Sequence, residues 1–591
     1  MKKLIAIGNW FYYLLFCISL SLTWFFHKDA TRFDDRNELW SDRAGYYIYL
    51  PATFFYHFDT HQMPADLDIR TGGGFAIDTL NNKIDTKYTY GVSLLASPFF
   101  LASGLISRVA GYDSENGFSM IYMRMMMLAA VVYLTLGLWL LKKILDQYFS
   151  QFISCFTFLL IFLGTNLFYY SLIDGMMSHV YSFLLFTLFL YSLQRFRLTG
   201  HRSWFLLLSL AFSLIILIRP TNMLIGFLFF TWDETNPSGW MKNLRQLLKT
   251  KYFLSLLAIL FIVFLPQLIY WKYLSGHWLH FSYGKEGFLN WRHPRIAEVL
   301  LSPVNGLITT TPLILFMLAG IAGMIFRKRT NGRTIAFFFI FLTLICASWS
   351  MWYFGCSQGQ RSFIEYYAIL AVPLGWLISG LFNSRSFLLK TMVLFLIFLM
   401  VYANLRYTIV LYRFDRCYYG STWDWDHYRR TFERAGVISP VHRISSYKND
   451  FENLALCPVR SPSAIFTRSG QYSIACEKNG QTPLFSIRLD DFGYPYPKMM
   501  EVEAWVLKPG TRPAEASLDY TLNRGFEVLF SDRQPVDTVL KEKLTWLKVK
   551  KIFIIPDVND SSLQINIFIS NPKHALLYVD DLCVRYKYNW N

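Results

Sequence analysis

Directly after the first apolar stretch the chain reads LWSDRAGYYIYLPATFFYH (39–57), placing Asp42 and Arg43 ahead of a tyrosine-rich run. A carboxylate held at a membrane surface can take the proton of an acceptor hydroxyl as general base, which is the chemistry Asp42 offers. The same residue can also do no more than cap the helix expected for RAGYYIYL. Other ionisable residues recur in short motifs. IDTKY brings Asp85 and Lys87, IYMRMMM brings Arg124, and LIDGMMSHVYS brings Asp174 and His179. IRPTN brings Arg219 and Asn222, and FGCSQGQRSFIE brings Arg361 and Glu365. Arg124, His179 and Arg219 stand within or at the ends of apolar stretches, where an ionisable group is costly unless it faces a cavity or a partner. Singly, each can snorkel to head groups or cap a helix. Several at one level, opposite an acidic loop, point to a cationic cavity that receives an anion. A lipid-linked phosphate suits such a cavity, because it arrives sideways from the bilayer.

The elements that would position these residues are read from composition and charge. The 591 residues are 54% hydrophobic and 18% aromatic, with only 16% charged. Apolar blocks long enough to cross a bilayer recur up to about residue 410 and then stop. The net charge of +17 sits largely in short clusters between those blocks: MKK at the start, LKK at 141–143, QRFRLTGHR at 194–202, RQLLKTK at 245–251 and RKRTNGR at 327–333. That distribution follows the positive-inside rule and argues against a nucleic-acid partner. Crossings are expected near 4–26, 119–141, 152–172, 176–194, 203–218, 220–231, 252–273, 306–326, 334–353, 365–383 and 387–410, about eleven in all. The 203–231 pair is expected to form a bent hairpin with Arg219 near the outer surface. Residues 88–109 are long enough to cross. Reading them as a helix lying in the outer interface keeps every basic cluster on the cytoplasmic side. Residues 27–118 then form one long external loop, in which SDRAGYYIYLPATFFYH lies on the membrane with its tyrosines at head-group level. The odd number of crossings exports the C-terminal domain, where Cys417, Cys457, Cys476 and Cys583 would meet an oxidising compartment.

From about residue 460, after a connector over 411–459, the pattern changes to short alternating strands. YSIAC, LFSIRL, MEVEAWVLK, ASLDYTL, GFEVLFS, WLKVKKIFIIP, LQINIFIS and ALLYVDDLCVRYKY are examples. The fold class expected is therefore a multi-pass α-helical membrane domain followed by an all-β sandwich of the jelly-roll type. YVDDLCVRY resembles the last strand of carbohydrate-binding jelly rolls. The domain would hold an acceptor glycan or serve as a lid or packing module.

An Asp just after the first span (Asp42), the loop ending DTKYTYG, and an Arg opening the second span (Arg124) together resemble bacterial GT-C glycosyltransferases. That group includes the protein O-mannosyltransferases and the aminoarabinose transferases of lipid A. GMMSHVYSF, IRPTN and SWSMWYFGCSQGQR add to the likeness, which covers roughly residues 1–410. The resemblance implies transfer of a sugar from a polyprenyl-phosphate donor to a hydroxyl of an envelope glycan, lipid or protein. It places the reaction at the periplasmic face of a bacterial inner membrane. It implies Asp42 and Asp85 as catalytic acids, and Lys87, Arg124, Arg219 and Arg361 as ligands of the donor phosphate. Tyr46, Tyr88, His179 and Tyr283 become candidates to contact substrate. The loop reads TKYTYG and not the proline-rich version of the lipid A enzymes, and Arg43 stands where a paired acid would be. No cofactor and no metal is expected. The rival readings are a flippase for lipid-linked glycans and a non-enzymatic, glycan-binding envelope protein.

Overall fold

The computed structural model describes residues 2–33, 36–111, 117–234, 236–284, 286–355, 358–414, 425–434, 446–452, 462–476, 480–492, 496–510, 515–525, 527–536, 544–556, 562–572 and 575–587. Two compact units emerge, Met1–Thr408 with Cys417–Trp423, and Ile409–Arg416 with Asp424–Asn591.

In the helical unit, α1 (Lys2–His27) leads into a loop holding α2 (Asp42–Tyr47), α3 (Tyr49–Phe54), α4 (Leu67–Arg70) and the hairpin β1 (Ala76–Asp78)/β2 (Lys83–Asp85). There follow α5 (Gly91–Ala110), α6 (Met120–Leu145), α7 (Gln151–Leu163), α8 (Leu167–Leu172), α9 (Ser178–Thr199) and α10 (Arg202–Ile218). A 3-10 helix over Pro220–Phe227 continues into α11 (Leu228–Thr231), followed by α12 (Pro237–Leu247) and α13 (Thr250–Ser275). The unit closes with α14 (Ile296–Leu301), α15 (Leu307–Thr310), α16 (Ile314–Phe326), α17 (Gly332–Ser348), α18 (Tyr367–Asn383) and α19 (Phe387–Phe414), whose last residues belong to the second unit.

The helices run between two chemically distinct ends. One end carries the basic clusters. There Gln147 bonds Gln194 at 2.8 Å, Tyr148 donates to Asp233 at 2.8 Å, and Asn331 donates to Asp233 at 2.7 Å. These bonds tie the end of α6, the end of α9, the residues after α11 and the start of α17 together. At the other end gather the end of α1, the starts of α9 and α18, the end of α10 and the short helices of the loop. Trp232 at the first end, Tyr170 at the second, and Tyr181 and Phe186 are wholly buried, while α13 and α19 turn Phe261, Ile262, Phe395 and Phe398 outward. Outward apolar surface of this kind is stable against lipid and not against water. Among the described residues, α1, α5, α6, α13 and the bulk of α19 have the length and apolarity to cross a bilayer alone.

The 88–109 segment differs from its expected place flat on the interface. As α5 it packs antiparallel along α6: Tyr133 donates to the Leu95 carbonyl at 2.6 Å, and nine or so residues further along α5, Gly104 meets Tyr122. Paired Tyr and small residues at matched spacing on two helices favour lengthwise packing over a single crossing. α1 and α6 are themselves antiparallel. Arg124 lies over the Trp24 ring at 4.9 Å, and Tyr12 is within electrostatic reach of Asp146. The chain between them therefore leaves and returns at one end of the bundle.

The first part of the 220–231 segment, expected as a short crossing, is a 3-10 helix. A rise of about 2.0 Å per residue stretches it further than an α-helix of the same length.

In the second unit, α20 (Trp425–Arg434) precedes ten strands: β3 (Ser446–Asn449), β4 (Pro462–Ser463), β5 (Ser473–Ala475), β6 (Gly480–Arg488), β7 (Met499–Leu507), β8 (Ser517–Arg524), β9 (Glu527–Pro535), β10 (Leu547–Ile554), β11 (Gln564–Asn571) and β12 (Tyr578–Lys587). One antiparallel sheet runs β10-β7-β12-β5-β4, with β3 also on β12, and the other runs β6-β11-β8-β9. Alternation on their facing sides (Val502, Val549 and Val584 against Leu484, Leu518 and Ile567) buries one shared core. Every strand expected from the alternating pattern is present. The sheet begins earlier than residue 460, because β3 lies within the expected connector; SYKN is too short and polar to be read as a strand before its pairing with β12 is seen. Most of the connector, with Cys417 and Cys457, lies outside the described residues. Cys476 and Cys583 are free thiols.

Candidate active site

Asp42 opens α2. Ser41, the residue before it, adopts φ 53° and ψ −130° and makes no side-chain cap. Such a backbone state is costly for a residue with a side chain and persists only when its surroundings fix it. Here Ser41 N–H donates to the Thr71 carbonyl at 2.7 Å, and Gly45 N–H donates back to Ser41 at 3.1 Å. Gly45 is required for the close approach: a Cβ there would meet the Tyr88 ring at 2.6 Å. Thr86 donates to the Gly45 carbonyl at 2.9 Å and Tyr49 to the Tyr88 carbonyl at 2.7 Å, so α2 and α3 are fastened to the 86–93 segment. That segment is in turn fixed to α13, where Lys83 reaches the Leu274 carbonyl at 2.6 Å and Tyr90 N–H donates to Gln267 at 2.9 Å.

The Asp42 carboxylate turns to Arg361, with Nη2–Oδ2 at 3.3 Å. Arg361 is delivered by a buried strap before α18. Asn166 donates to the Gln358 carbonyl at 2.9 Å, Gln358 to Thr408 at 2.7 Å, and Gly359 N–H to Asn305 at 3.0 Å. Burial pushes the Asp42 pKa up, but the Arg361 guanidinium and the Lys87 ammonium outweigh it, and the net direction is down. The carboxylate is about a third exposed, at 32%, which leaves it reachable by a substrate hydroxyl.

Lys87 lies 3.4 Å from Glu286 and over the rings of Tyr88 (5.5 Å) and Tyr283 (5.9 Å). Tyr46 and Tyr88 pack with ring centroids 4.0 Å apart. Burial and then Asp42 raise the Tyr88 hydroxyl well above its ordinary range, so it stays protonated beside the carboxylate. Tyr283 meets Trp349 edge-on at 5.7 Å.

A second group adjoins the first. Glu365, fully buried, binds Arg219 Nη1 at 3.3 Å, His179 Nδ1 at 3.3 Å and the Asn222 amide at 2.8 Å. Arg219 also donates to Ser362 at 3.0 Å. Arg219 acts electrostatically on Tyr46 and Tyr283, and Arg361 acts on His179, so the two groups share one field.

Behind α2, Arg43 pairs with Asp174 at 2.8 Å. Glu38, also wholly buried, meets His27 at 3.2 Å and accepts from the N–H groups of Gly175 (3.0 Å) and Met176 (2.9 Å). Burial raises the Glu38 pKa, but the hydrogen bond and charge of His27 and the charge of Arg43 outweigh it, giving a net decrease.

Of the residues singled out from sequence, Asp42, Lys87, Arg219, Arg361, Tyr46, Tyr88, His179 and Tyr283 come together. Asp85 and Arg124 stand apart. Asp85 is exposed at the end of β2, where it acts on Tyr49 and Tyr270. Arg124 is exposed over Trp24. Glu365, Glu286 and Glu38 received no role from the sequence. A carboxylate opening the apolar run EYYAIL was the available signal for Glu365, by the same cost argument applied to the cations. Nothing local marks Glu286. Among the described residues no group of three or more His, Cys, Asp or Glu is placed to hold a metal ion.

No protein-family model matches the chain, and no curated protein matches it in sequence. Among solved structures, the chain is similar to the "Family 16 Carbohydrate Binding Module-2" at 10% identity and TM-score 0.16, over 21% of this chain and 82% of that one. It is similar to the apo oligosaccharyltransferase of Archaeoglobus fulgidus at 11% identity and TM-score 0.40, over 72% of this chain and 59% of that one. It is also similar to arabinosyltransferase EmbB of Mycobacterium smegmatis at 10% identity and TM-score 0.32, over 97% of this chain and 64% of that one. The chain thus spans less than two thirds of the length of each of these two transferases.

Proposed function

We propose that this chain is a membrane glycosyltransferase of the GT-C class. It moves a sugar from a polyprenyl-phosphate donor to the hydroxyl of an envelope glycan, lipid or protein, at the periplasmic face of a bacterial inner membrane. The observation that carries this reading is the meeting of Asp42 with Arg361 and Lys87 at the end of the helical unit opposite the basic clusters. The positive-inside rule puts the basic end in the cytoplasm and the site outside.

In this reading transfer is a single inverting displacement. The acceptor oxygen attacks the anomeric carbon while Asp42 takes its proton. The bond from that carbon to the phosphate oxygen breaks, and its electron pair leaves on the phosphate. Arg361 and Lys87 stabilise the charge that grows there. The pairing of Asp42 with Arg361 gives a reason for the order of events. While Arg361 holds the carboxylate, Asp42 is a weak base. A donor phosphate that draws Arg361 away removes the cation and adds negative charge nearby, and both effects raise the basicity of Asp42. Arg219, locked by Glu365 and Ser362, sets the field from behind.

For the β unit, the paired orders β5-β12-β7-β10 and β6-β11-β8-β9 support a jelly-roll arrangement, and its role in this reading is to hold acceptor glycan or to serve as a lid or packing module.

The test is to incubate the purified full chain in lipid with a polyprenyl-phosphate sugar and an acceptor-rich envelope extract. Release of polyprenyl phosphate supports the transferase. Translocation without cleavage, or glycan binding alone, would replace it with a flippase or a binding protein.

A further inference from the structure

The cations of the site are held on unequal terms. Arg219 is gripped by a wholly buried carboxylate and by Ser362. Arg361 faces the reacting carboxylate itself. Lys87, beside its contacts with the Tyr88 and Tyr283 rings, is paired among the described residues with Glu286 at 3.4 Å, the two side chains being 36% and 35% exposed. A half-exposed pair of this kind is weak and exchanges readily.

Its placement is nevertheless built. Glu286 belongs to the segment between α13 and α14. Before it, Ser282 donates to the carbonyl of Lys87 itself at 2.7 Å. After it, Gly287 N–H donates to the Ser350 hydroxyl at 3.2 Å, Ser350 N–H donates to the Gly287 carbonyl at 2.7 Å, and Asn290 donates to the Trp349 carbonyl at 2.9 Å. Anchors on both sides thus hold the carboxylate at the ammonium. The same segment turns Trp278, Leu279, Phe281, Leu289 and Trp291 outward, an apolar surface suited to the chain of a lipid whose head group enters the site.

We propose that Glu286 is a specificity residue of the phosphate subsite, a carboxylate of the chain itself that occupies Lys87 until an anionic lipid head group displaces it. The proposal rests on the reading of Lys87 as a phosphate ligand. A carboxylate and a phosphate oxygen compete for the same ammonium, so every phosphate ligand meets the same penalty. Lipids that bind through phosphate alone, already the weaker binders, occupy the site less often by that factor. A donor that also gains contacts through its sugar still enters, and the product, having lost that sugar, is released.

The experiment measures binding of farnesyl phosphate to the purified full chain in detergent, with farnesol as the uncharged control. The variants are Glu286→Gln, Lys87→Gln and the double variant. Glu286→Gln should tighten farnesyl phosphate binding about two- to five-fold, the range open to a half-exposed pair, and leave farnesol unchanged. Lys87→Gln should weaken binding of the phosphate, and adding Glu286→Gln to it should change nothing more. Glu286→Asp should keep wild-type affinity. If Lys87→Gln weakens binding while Glu286→Gln leaves it unchanged or weaker, the proposal is overturned and the role of Lys87 stands. If Lys87→Gln has no effect, the phosphate reading of Lys87 fails and the proposal fails with it. A parallel change in farnesol binding marks a structural effect and overturns the proposal as well.

Discussion

At Glu365 every partner is sealed from solvent or nearly so: the carboxylate is fully buried, His179 is 2% exposed, and Arg219 is the most open at 20%. At Asp42, a few residues of chain away through Arg361, the pair is looser and the carboxylate is about a third open. Both groups pair an acid with an arginine at 3.3 Å, so distance does not distinguish them. What differs is the alternative open to each charge. Glu365 has no water to fall back on, so its pairing is a condition of folding. Asp42 can give up its arginine to solvent or to a substrate. Burial therefore separates ion pairs that hold this end of the bundle together from those that can take part in chemistry.

The comparison breaks first at Asp42. Asp42→Asn keeps the shape and removes the base, and transfer should fall by about 10²–10⁴-fold, the range of a general base, with normal yield and donor binding no weaker than in the parent, because Arg361 is released to the phosphate. Near-normal turnover in that variant would remove Asp42 from the role. Glu365→Ala should act in the opposite register. It strands a buried arginine, costing about 3–5 kcal/mol, and should appear as lost thermal stability and poor expression before any kinetic effect is measurable. A Glu365→Ala protein as stable as the parent would mean the sealed group does not support the fold.

Arg361→Gln tests the coupling between acid and arginine by pH. The fold lowers the Asp42 pKa, so the ionised form is the favoured one. The stabilisation this brings is present above the unfolded value of about 4 and is lost as pH falls through the lowered one. With the cation removed, the acid limb of kcat/KM should move to higher pH and the rate should drop by about 10²-fold. An unmoved limb would mean that Arg361 does not set the acidity of Asp42. At the small end, Arg124→Gln should change transfer less than about two-fold, since Arg124 lies over Trp24 and outside the group around Asp42. A large loss would return Arg124 to the site.

Much of the helical unit is legible in the sequence, because basic clusters and apolar lengths are local signals. The β strands were equally open to reading, since a period of two shows in a few residues, as in MEVEAWVLK. The meeting of Asp42 with Arg361 was not. The two are hundreds of residues apart, and their contact depends on the strap that Asn166, Asn305 and Thr408 hold in place. Arg124 misled for the complementary reason. Its position at the start of a crossing suggests the outer cavity, but which way a helical side chain faces depends on its neighbour, here Trp24. Tyr12 and Trp24 against α6 show, in turn, that α1 and α6 run antiparallel whatever the loop between them contains.

The stretched helix between Arg219 and Asp233 works as a ruler. One end is pinned where Arg219 meets Glu365, and the other where Asp233 meets Asn331 at 2.7 Å. A 3-10 turn takes about three residues, so deleting a single residue from Pro220–Phe227 would turn one end against the other by about a third of a revolution and shorten the reach by about 2 Å. Neither anchor can absorb both changes at once. The segment should therefore tolerate changes of residue far better than changes of length, and a one-residue deletion there should unmake the cationic wall while leaving every charged side chain in the sequence.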